Sequence, residues 1–266
     1  MYVTLDIPEF SCARRYDSVS STMDLAREIL SKYPPSNAEW SAVVTADKQT
    51  AGRGRQGRVW LASQGSLMVT YIFVTDLPIA ALAGYSLAVG VAVAEELEGL
   101  GIKNALKWPN DIVVLQGEQS LRKIGGVLIE VQQIAGLQCI LVGLGINVAP
   151  APSEVSDISV SLHELGAVDV SAHELVAPIG ASLRKWHQNF ITSAGFKGVR
   201  SAWIQRSCFQ SGLSKVTIDL GAGRLISGVF AGVDENGAMV VEASGEFHPI
   251  VSGHITSFVL LPEGQR

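Results

Sequence analysis

Gln49-Thr-Ala-Gly52-Arg53-Gly54-Arg55-Gln56-Gly57-Arg58-Val59-Trp60 sets three arginines among three glycines, on a backbone with too much freedom for the interior of a helix or a strand. The segment just after this loop decides the fold. Gly52-x-Gly54-x-x-Gly57 spells the dinucleotide fingerprint, and Asp76 stands where a ribose-binding acid would be wanted. That fingerprint needs a helix to open at its glycines, so that the helix N-terminus holds pyrophosphate. Here Trp60-Leu-Ala-Ser63 passes through Gln64-Gly65 into the strand-like Leu67-Met-Val-Thr-Tyr-Ile-Phe-Val74, which leaves no room for a helix. The P-loop spacing Gly52…Gly57 fails as well, because Arg58-Val59 occupies the place of the lysine and the hydroxyl residue. By itself the loop reads equally as an anion site or as a solvated basic turn.

Working outward, Trp40 to Ala46 supplies a strand leading into the loop. Ala105-Leu-Lys-Trp108 and Ile112 to Leu115 read as strand segments interrupted by Pro109-Asn110-Asp111, where proline marks an edge or a bulge. A turn at Gln116-Gly117-Glu118, a strand from Lys123 to Val131, a turn at Ala135-Gly136 and a strand from Leu137 to Ile146 come next. Strands joined by such short turns run antiparallel, so the chain is an α+β fold and not a doubly wound parallel sheet. Upstream, Tyr2 to Leu5 is a short strand, and Ser21 with Asp24 opens a helix whose apolar face is Leu25, Ala26, Ile29 and Leu30. The uncharged run Leu77 to Ala94 reaches the length of a membrane span, but it is rich in Ala and Gly and flanked by Asp76, Glu95 and Glu96. Ala80 to Leu100 is therefore expected to be one core helix with Pro78 just ahead of it. Ser171-Ala-His-Glu174 is a capping box predicting a helix to about Ile191, kinked early by Pro178. Another helix is expected from Gly198 to Gln205. Beyond Gly212 come five short β runs, Lys215–Leu220, Leu225–Val233, Ala238–Glu242, Phe247–Val251 and Ile255–Leu261, which predict a small barrel. The expected domains are 1–211 and 212–266.

Over 266 residues, 47% hydrophobic and 17% charged, the composition is that of a folded globular protein, and a formal net charge of -5 argues against a general nucleic-acid binder. A basic site must then be local. Cys12, Cys139 and Cys208 lie far apart without C-x-x-C spacing, which reads as thiols in a reducing, cytoplasmic compartment and as neither a disulfide framework nor zinc. The five histidines form no ligand pattern. No basic n-region with an apolar core opens the chain, so no secretory signal is expected.

Lys107-Trp108-Pro109-Asn110-Asp111 and Arg122-Lys123-Ile124-Gly125-Gly126-Val127-Leu128-Ile129-Glu130, taken with the arginine loop, closely resemble the motifs of the biotin protein ligase family. Ser21-Thr22-Met23 and Gly143-Leu-Gly-Ile-Asn147 fall in the same order as that family's. Several motifs in order are far more specific than any one of them. The resemblance implies a mixed, mainly antiparallel sheet with helices like that of class II aminoacyl-tRNA synthetases, with an SH3-like β-barrel after it. It implies that biotin and ATP, with magnesium, give biotinyl-5'-AMP, and that biotin then passes to a lysine of a biotin carboxyl carrier protein. Some relatives carry an N-terminal helix-turn-helix; only twenty residues precede Ser21, so the form without it, and no DNA partner, is expected. No membrane partner is expected, and a homodimer is left open. A lipoate-type protein ligase is the nearest alternative, sharing fold and reaction type; a non-enzymatic biotin-binding regulator is a second.

Carried over position by position, the resemblance makes Arg53 and Lys123 the catalytic cations. It assigns biotin to Ser21, Thr22, Met23, Gln49, Gly52, Arg53, Gly54, Arg55, Lys123, Gly125 and Gly126. The nucleotide falls to Arg53, Arg55, Trp60, Asn110, Asp111, Lys123 and Asn147, and magnesium to Asp111. Met23 departs from the family's common asparagine, which removes the basis for a side-chain contact there but not for one from its backbone. Without the resemblance, Lys123 is only a hairpin charge, Ser21 and Thr22 cap a helix, Trp60 is as much a core residue as a cover for the loop, and Asp111 is as much a lock on the Pro109 bulge.

Overall fold

The computed structural model describes residues 2–117 and 120–261, so Glu118 of the expected turn and the end of the expected 212–266 domain lie outside the described residues. Eight strands form the main sheet: β1 (Tyr2–Thr4), β2 (Cys12–Tyr16), β3 (Ala42–Ala46), β4 (Leu67–Thr75), β5 (Ala105–Lys107), β6 (Asp111–Gln116), β7 (Ser120–Ile134) and β8 (Leu137–Ile146). Their order is β1-β2-β3-β4-β8-β7-β6-β5, and every neighbouring pair is antiparallel except β2 and β3. Helix α1 (Thr22–Lys32) makes the crossover between those two parallel strands.

Strand β2 is absent from the sequence reading because Cys12-Ala-Arg-Arg-Tyr16 puts two charges where a strand pattern would be sought. Both are engaged: Arg15 forks onto Asp47, and Arg14 stacks on the rings of Tyr2 and Tyr33. The β7–β8 hairpin arises directly from its turn, since Ala135 and Gly136 both take positive φ, at 50° and 84°. That double left-handed turn matches the twist of the flanking strands.

Alternation along the strands separates two packing faces. On β8, Cys139 and Leu141 face α1 and pack with Met23, Ala26, Ile29 and Leu30. Ile140, Val142, Leu144 and Ile146 face the other way. There they meet α2 (Tyr85–Gly99) and α3 (Val176–Thr192), which lie against each other with Ser182 donating to the Ala92 carbonyl. Covered on both sides, all nine residues of β4 are buried.

The structure corrects three sequence expectations. The expected helix from Ala80 is broken: a short 3₁₀ turn covers Ile79–Leu82, and α2 starts only after Gly84. Gly84 sits at φ 77°, and a Cβ there would lie 2.7 Å from the Phe196 ring, so both backbone and packing require glycine. The Ser171–Glu174 capping box forms, with the Ser171 N–H and hydroxyl both donating to Glu174, but it closes a turn ahead of α3. Pro178 has no N–H to offer the Glu174 carbonyl, so the helix begins at Val176 with proline in its first turn and no early kink. Pro109 lies in the turn of the β5–β6 hairpin, and the bulge sits instead on β7, where Ile124 is the extra residue between Lys123 and Gly125. The 198–205 helix is present as α4 (Arg200–Arg206).

The last five strands, β9 (Ser214–Asp219), β10 (Leu225–Val233), β11 (Met239–Ala243), β12 (Glu246–Ile250) and β13 (His254–Leu260), form a separate antiparallel sheet in the order β12-β11-β10-β9-β13. It joins the main body through a shared core: Phe209 packs on Phe230 and Phe258, and the Trp108 indole N–H donates to the Gly237 carbonyl at 3.0 Å.

Candidate active site

On the α1 face, β8 continues past the helix as Gly143 and Gly145, two residues apart and therefore on one side of the sheet. With no side chains there, the sheet is left bare where α1 begins, and a cavity of about 160 Å³ opens. The glycines are required by what stands over them. A Cβ on Gly143 would meet the Met23 sulfur at 2.9 Å, and one on Gly145 would overlap the Trp60 indole. Trp60 thus forms a wall of the cavity, with its Nε1 buried and without a hydrogen-bond partner among the described residues.

Of the residues singled out from sequence, Ser21, Thr22, Met23, Gln49, Arg53, Gly54, Arg55, Trp60, Asn110, Asp111, Lys123 and Gly126 all line this one cavity. Five cations border it, Arg53, Arg55, Arg58, Lys107 and Lys123, against a single carboxylate among the described residues, Asp111. In a chain of net charge -5 this is a concentrated positive site. Lys123 is aimed by the bulge at Ile124 and by pairing with the loop at Ser159, its N–H donating to the Ile158 carbonyl and its own carbonyl accepting from Val160. Its ammonium donates to Asp111 at 2.5 Å and lies 5.4 Å from the Trp60 ring centroid. Arg53 forks onto Asp24, at 2.7 and 3.2 Å. That bidentate hydrogen bond holds the Asp24 carboxyl below the usual range and raises the Arg53 guanidinium. Arg27 binds both Asp24 and Glu130, so a chain of alternating charges ties the loop to α1 and β7. Arg55 reaches Asn110; burial pushes its pKa down, yet a guanidinium stays charged.

At the start of α1 the uncharged Ser21, Thr22, Met23 and Gln49 line the cavity. Ser21 caps the helix, its hydroxyl accepting the Met23 N–H, and the Met23 sulfur lies over Gly143, where both residues line the cavity. Gln49 Oε1 accepts from the Thr22 N–H and hydroxyl, at 2.8 and 3.2 Å, and the Thr22 hydroxyl in turn accepts from Thr70. With its oxygen occupied, Gln49, which lines the cavity, has only its amide N–H groups left to offer a ligand.

Gly52, Gly125 and Asn147 do not line it. Gly52 closes the loop hairpin, accepting from the Trp60 N–H, and Gly125 lies against the Gly145 carbonyl, 2.7 Å from where a Cβ would be. Asn147 is buried and donates to the Lys123 carbonyl, supporting Lys123 from behind. Asn110 donates to the Val127 carbonyl. Among the described residues no group of three or more His, Cys, Asp or Glu side chains converges. Among them, too, Asp111 is the only carboxylate that a cation in the cavity would meet. Sequence reading assigns no role to Arg58, Lys107, Gly143, Gly145 or His254, which also border the cavity. The glycine pair carried a signal, two small residues at the strand period, whereas His254 arrives from the second sheet and carried none.

Residues 16–147 match the Biotin/lipoate A/B protein ligase family. The biotin–[acetyl-CoA-carboxylase] ligase of Paracoccus denitrificans is 31% identical over 213 residues, covering 76% of this chain and 84% of that protein. The enzyme of the same name from Mycobacterium tuberculosis is 28% identical over 252 residues, covering 91% and 88%. The biotin protein ligase from Aquifex aeolicus, solved in complex with biotin and ATP, superposes with a TM-score of 0.72 at 27% identity, covering 94% of this chain and all of that one. With fold, motif order and relatives in agreement, this chain belongs to the biotin/lipoate A/B protein ligase family.

Proposed function

We propose that this protein is an ATP-dependent biotin ligase, which joins biotin to AMP and then to a lysine of a biotin carboxyl carrier protein. The observation that carries this reading is the cavity, bordered by five cations and lined also by the neutral Ser21, Thr22, Met23 and the amide of Gln49. Biotin has a cyclic urea head and a carboxylate tail, and that polarity matches the cavity's. The urea carbonyl accepts from the Gln49 amide, with Met23 and Leu128 as apolar neighbours. The carboxylate extends toward Lys123 and Arg53.

In the first step a carboxylate oxygen attacks the α-phosphorus, a P–O bond forms and pyrophosphate leaves. No base is needed, because the nucleophile is already ionised. The obstacle is repulsion: at about 4 Å and an effective dielectric near 20, two like charges oppose each other by about 4 kcal/mol, roughly three decades in rate. Lys123 and the arginines remove that repulsion and fix the line of approach. Arg53 exchanges its bond to Asp24 for one to the ligand. In the second step the neutral amine of the carrier lysine attacks the acyl carbon and AMP leaves. Magnesium, when bound, would add charge neutralisation on the phosphates, and Asp111 is the residue of this cavity that would hold it. We place the domain boundary at residues 211/212, read the second sheet as the SH3-like barrel, and assign the protein to the cytoplasm, where its three free thiols would persist.

Incubation with ATP, magnesium and either biotin or lipoate, with mass detection of the products, should show biotinyl-5'-AMP in preference to lipoyl-AMP. The reverse preference would turn the reading to a lipoate-type ligase. Lys123→Ala and Arg53→Ala should each reduce adenylate formation by on the order of a thousandfold while the fold persists. Biotin-dependent pyrophosphate release at the wild-type rate in either would overturn the assignment.

A further inference from the structure

The arginine loop is anchored both on the domain it belongs to, where Arg53 holds Asp24 and Arg55 reaches Asn110, and on the second sheet. Arg53 is held by Asp24 of α1, which packs on the main sheet. Its other two arginines reach across to the turn that enters β13: Arg58 Nη1 lies 3.3 Å from His254 Nδ1, and Arg55 Nη2 donates to the Ser252 hydroxyl at 3.4 Å. Gly253 and His254 border the cavity, and Lys107 beside it donates to the Ile255 carbonyl at 3.3 Å. We propose that the entry to β13 is a latch that holds the arginine loop closed over the cavity, with His254 a positioning residue acting through Arg58.

The chemistry of the pair suits this role. A protonated imidazole would repel Arg58; a neutral one accepts at Nδ1 when its proton is on Nε2. Burial, reinforced by Arg58 and Lys107, holds His254 below the ordinary imidazole range against the opposing pull of Asp111 and Asp219. These four groups are the charges facing it, and they leave it a neutral acceptor near neutral pH. Both cross-domain bonds are at the long end of the hydrogen-bond range, and both partners are partly exposed. Such a latch is weak enough to open for ligand entry. Loop residues then depend on the second sheet for their closed position, although the loop's own bonds, Gly54 N–H to Arg58 carbonyl and Trp60 N–H to Gly52 carbonyl, shape the hairpin.

The consequence for the reaction rests on the ligase reading, but the latch does not, and the test separates them. Hydrogen–deuterium exchange of peptides spanning 52–60 is compared in the full chain for wild type, His254→Ala, His254→Asn and Arg58→Ala. Exchange in the loop should rise on the order of fivefold in His254→Ala and in Arg58→Ala, the population change that one partly exposed charged hydrogen bond supports. Combining the two should add little. His254→Asn, which keeps an acceptor at the Nδ1 position, should restore slow exchange. Unchanged loop exchange in both alanine variants, or no rescue by asparagine, overturns the latch. Should His254→Ala also loosen strands β9–β13, Arg58→Ala and His254→Asn decide alone, since neither removes a side chain from that sheet without an acceptor in its place. In parallel, biotin-dependent adenylate formation should show a raised KM for ATP and a lowered kcat in His254→Ala, recovered in His254→Asn. Loop exchange that responds as expected in a protein forming no biotinyl adenylate would uphold the latch and reject the ligase reading.

Discussion

The two faces of the central sheet are made by the same strands and do opposite things. On the side of α2 and α3, alternate residues of β4 and β8 are Tyr71, Phe73, Ile140, Val142, Leu144 and Ile146, all buried in one continuous core. On the side of α1 the alternate residues shrink along β8 from Cys139 and Leu141 to Gly143 and Gly145, and core gives way to cavity. One residue of register therefore separates stability from binding, because the side-chain period of a strand is two. Changes on the packed face should move unfolding and leave ligand affinity alone, except at Leu144, which also borders the cavity; changes on the bare face should do the reverse.

The largest effect should come from the packed face. Phe73 is buried against Phe10 and the His187 ring, and Phe73→Ala should lower unfolding free energy in a urea titration by about 3–5 kcal/mol, with the KM for biotin unchanged in the folded fraction. Next is the acid response of the same face. His187 sits beside the Tyr85 hydroxyl, and burial depresses its pKa from 6.5 to about 4. Unfolded chains bind the proton near 6.5 and the native protein does not. Stability from this group is thus full above pH 6.5, is lost as pH falls to about 4, and the loss levels off below that at about 3 kcal/mol. His187→Gln should flatten this segment of the stability profile; an identical profile would show that His187 is not its source. On the bare face, Gly145→Ala places a methyl against the Trp60 indole, a displacement of about 1–3 kcal/mol that should appear mainly as a raised KM for biotin and ATP. The smallest effect belongs to the loop anchor. Asp24 has a depressed pKa, so its pairing with Arg53 contributes above the ordinary carboxylate pKa and is lost as pH falls through the folded value. Asp24→Asn should remove about 0.2–1 kcal/mol at pH 7 and diminish that part of the acid response.

Much of this contrast is legible in the sequence. The β7–β8 hairpin is readable because Ala135-Gly136 is turn chemistry between two long apolar runs, and the arginine loop because glycine and arginine together are incompatible with a core element. The helix N-cap at Ser21 is readable for the same local reason. The features that escape depend on distant partners. β2 is a strand because Asp47, Tyr2 and Tyr33 absorb its arginines. α2 breaks at Gly84 because Phe196, over a hundred residues later, needs that space. The bulge that aims Lys123 falls at Ile124, a residue with no breaker character, because pairing on both sides of β7 imposes it. Asn147 matches a motif by sequence but turns inward to the Lys123 carbonyl, a distinction that spacing alone does not carry.

On the bare face, two mutually repelling anions are expected to meet between Lys123 and the loop arginines, and on that meeting the proposed chemistry depends. A crystal structure with biotin and a non-hydrolysable ATP analogue bound tests it most directly. The expected result is the biotin carboxylate and the α-phosphate both within hydrogen-bond reach of Lys123, over Gly143 and Gly145, with Arg53 turned from Asp24 to the ligand. Ligands bound elsewhere, or Arg53 and Lys123 directed to opposite sides of them with no shared anion, would contradict it.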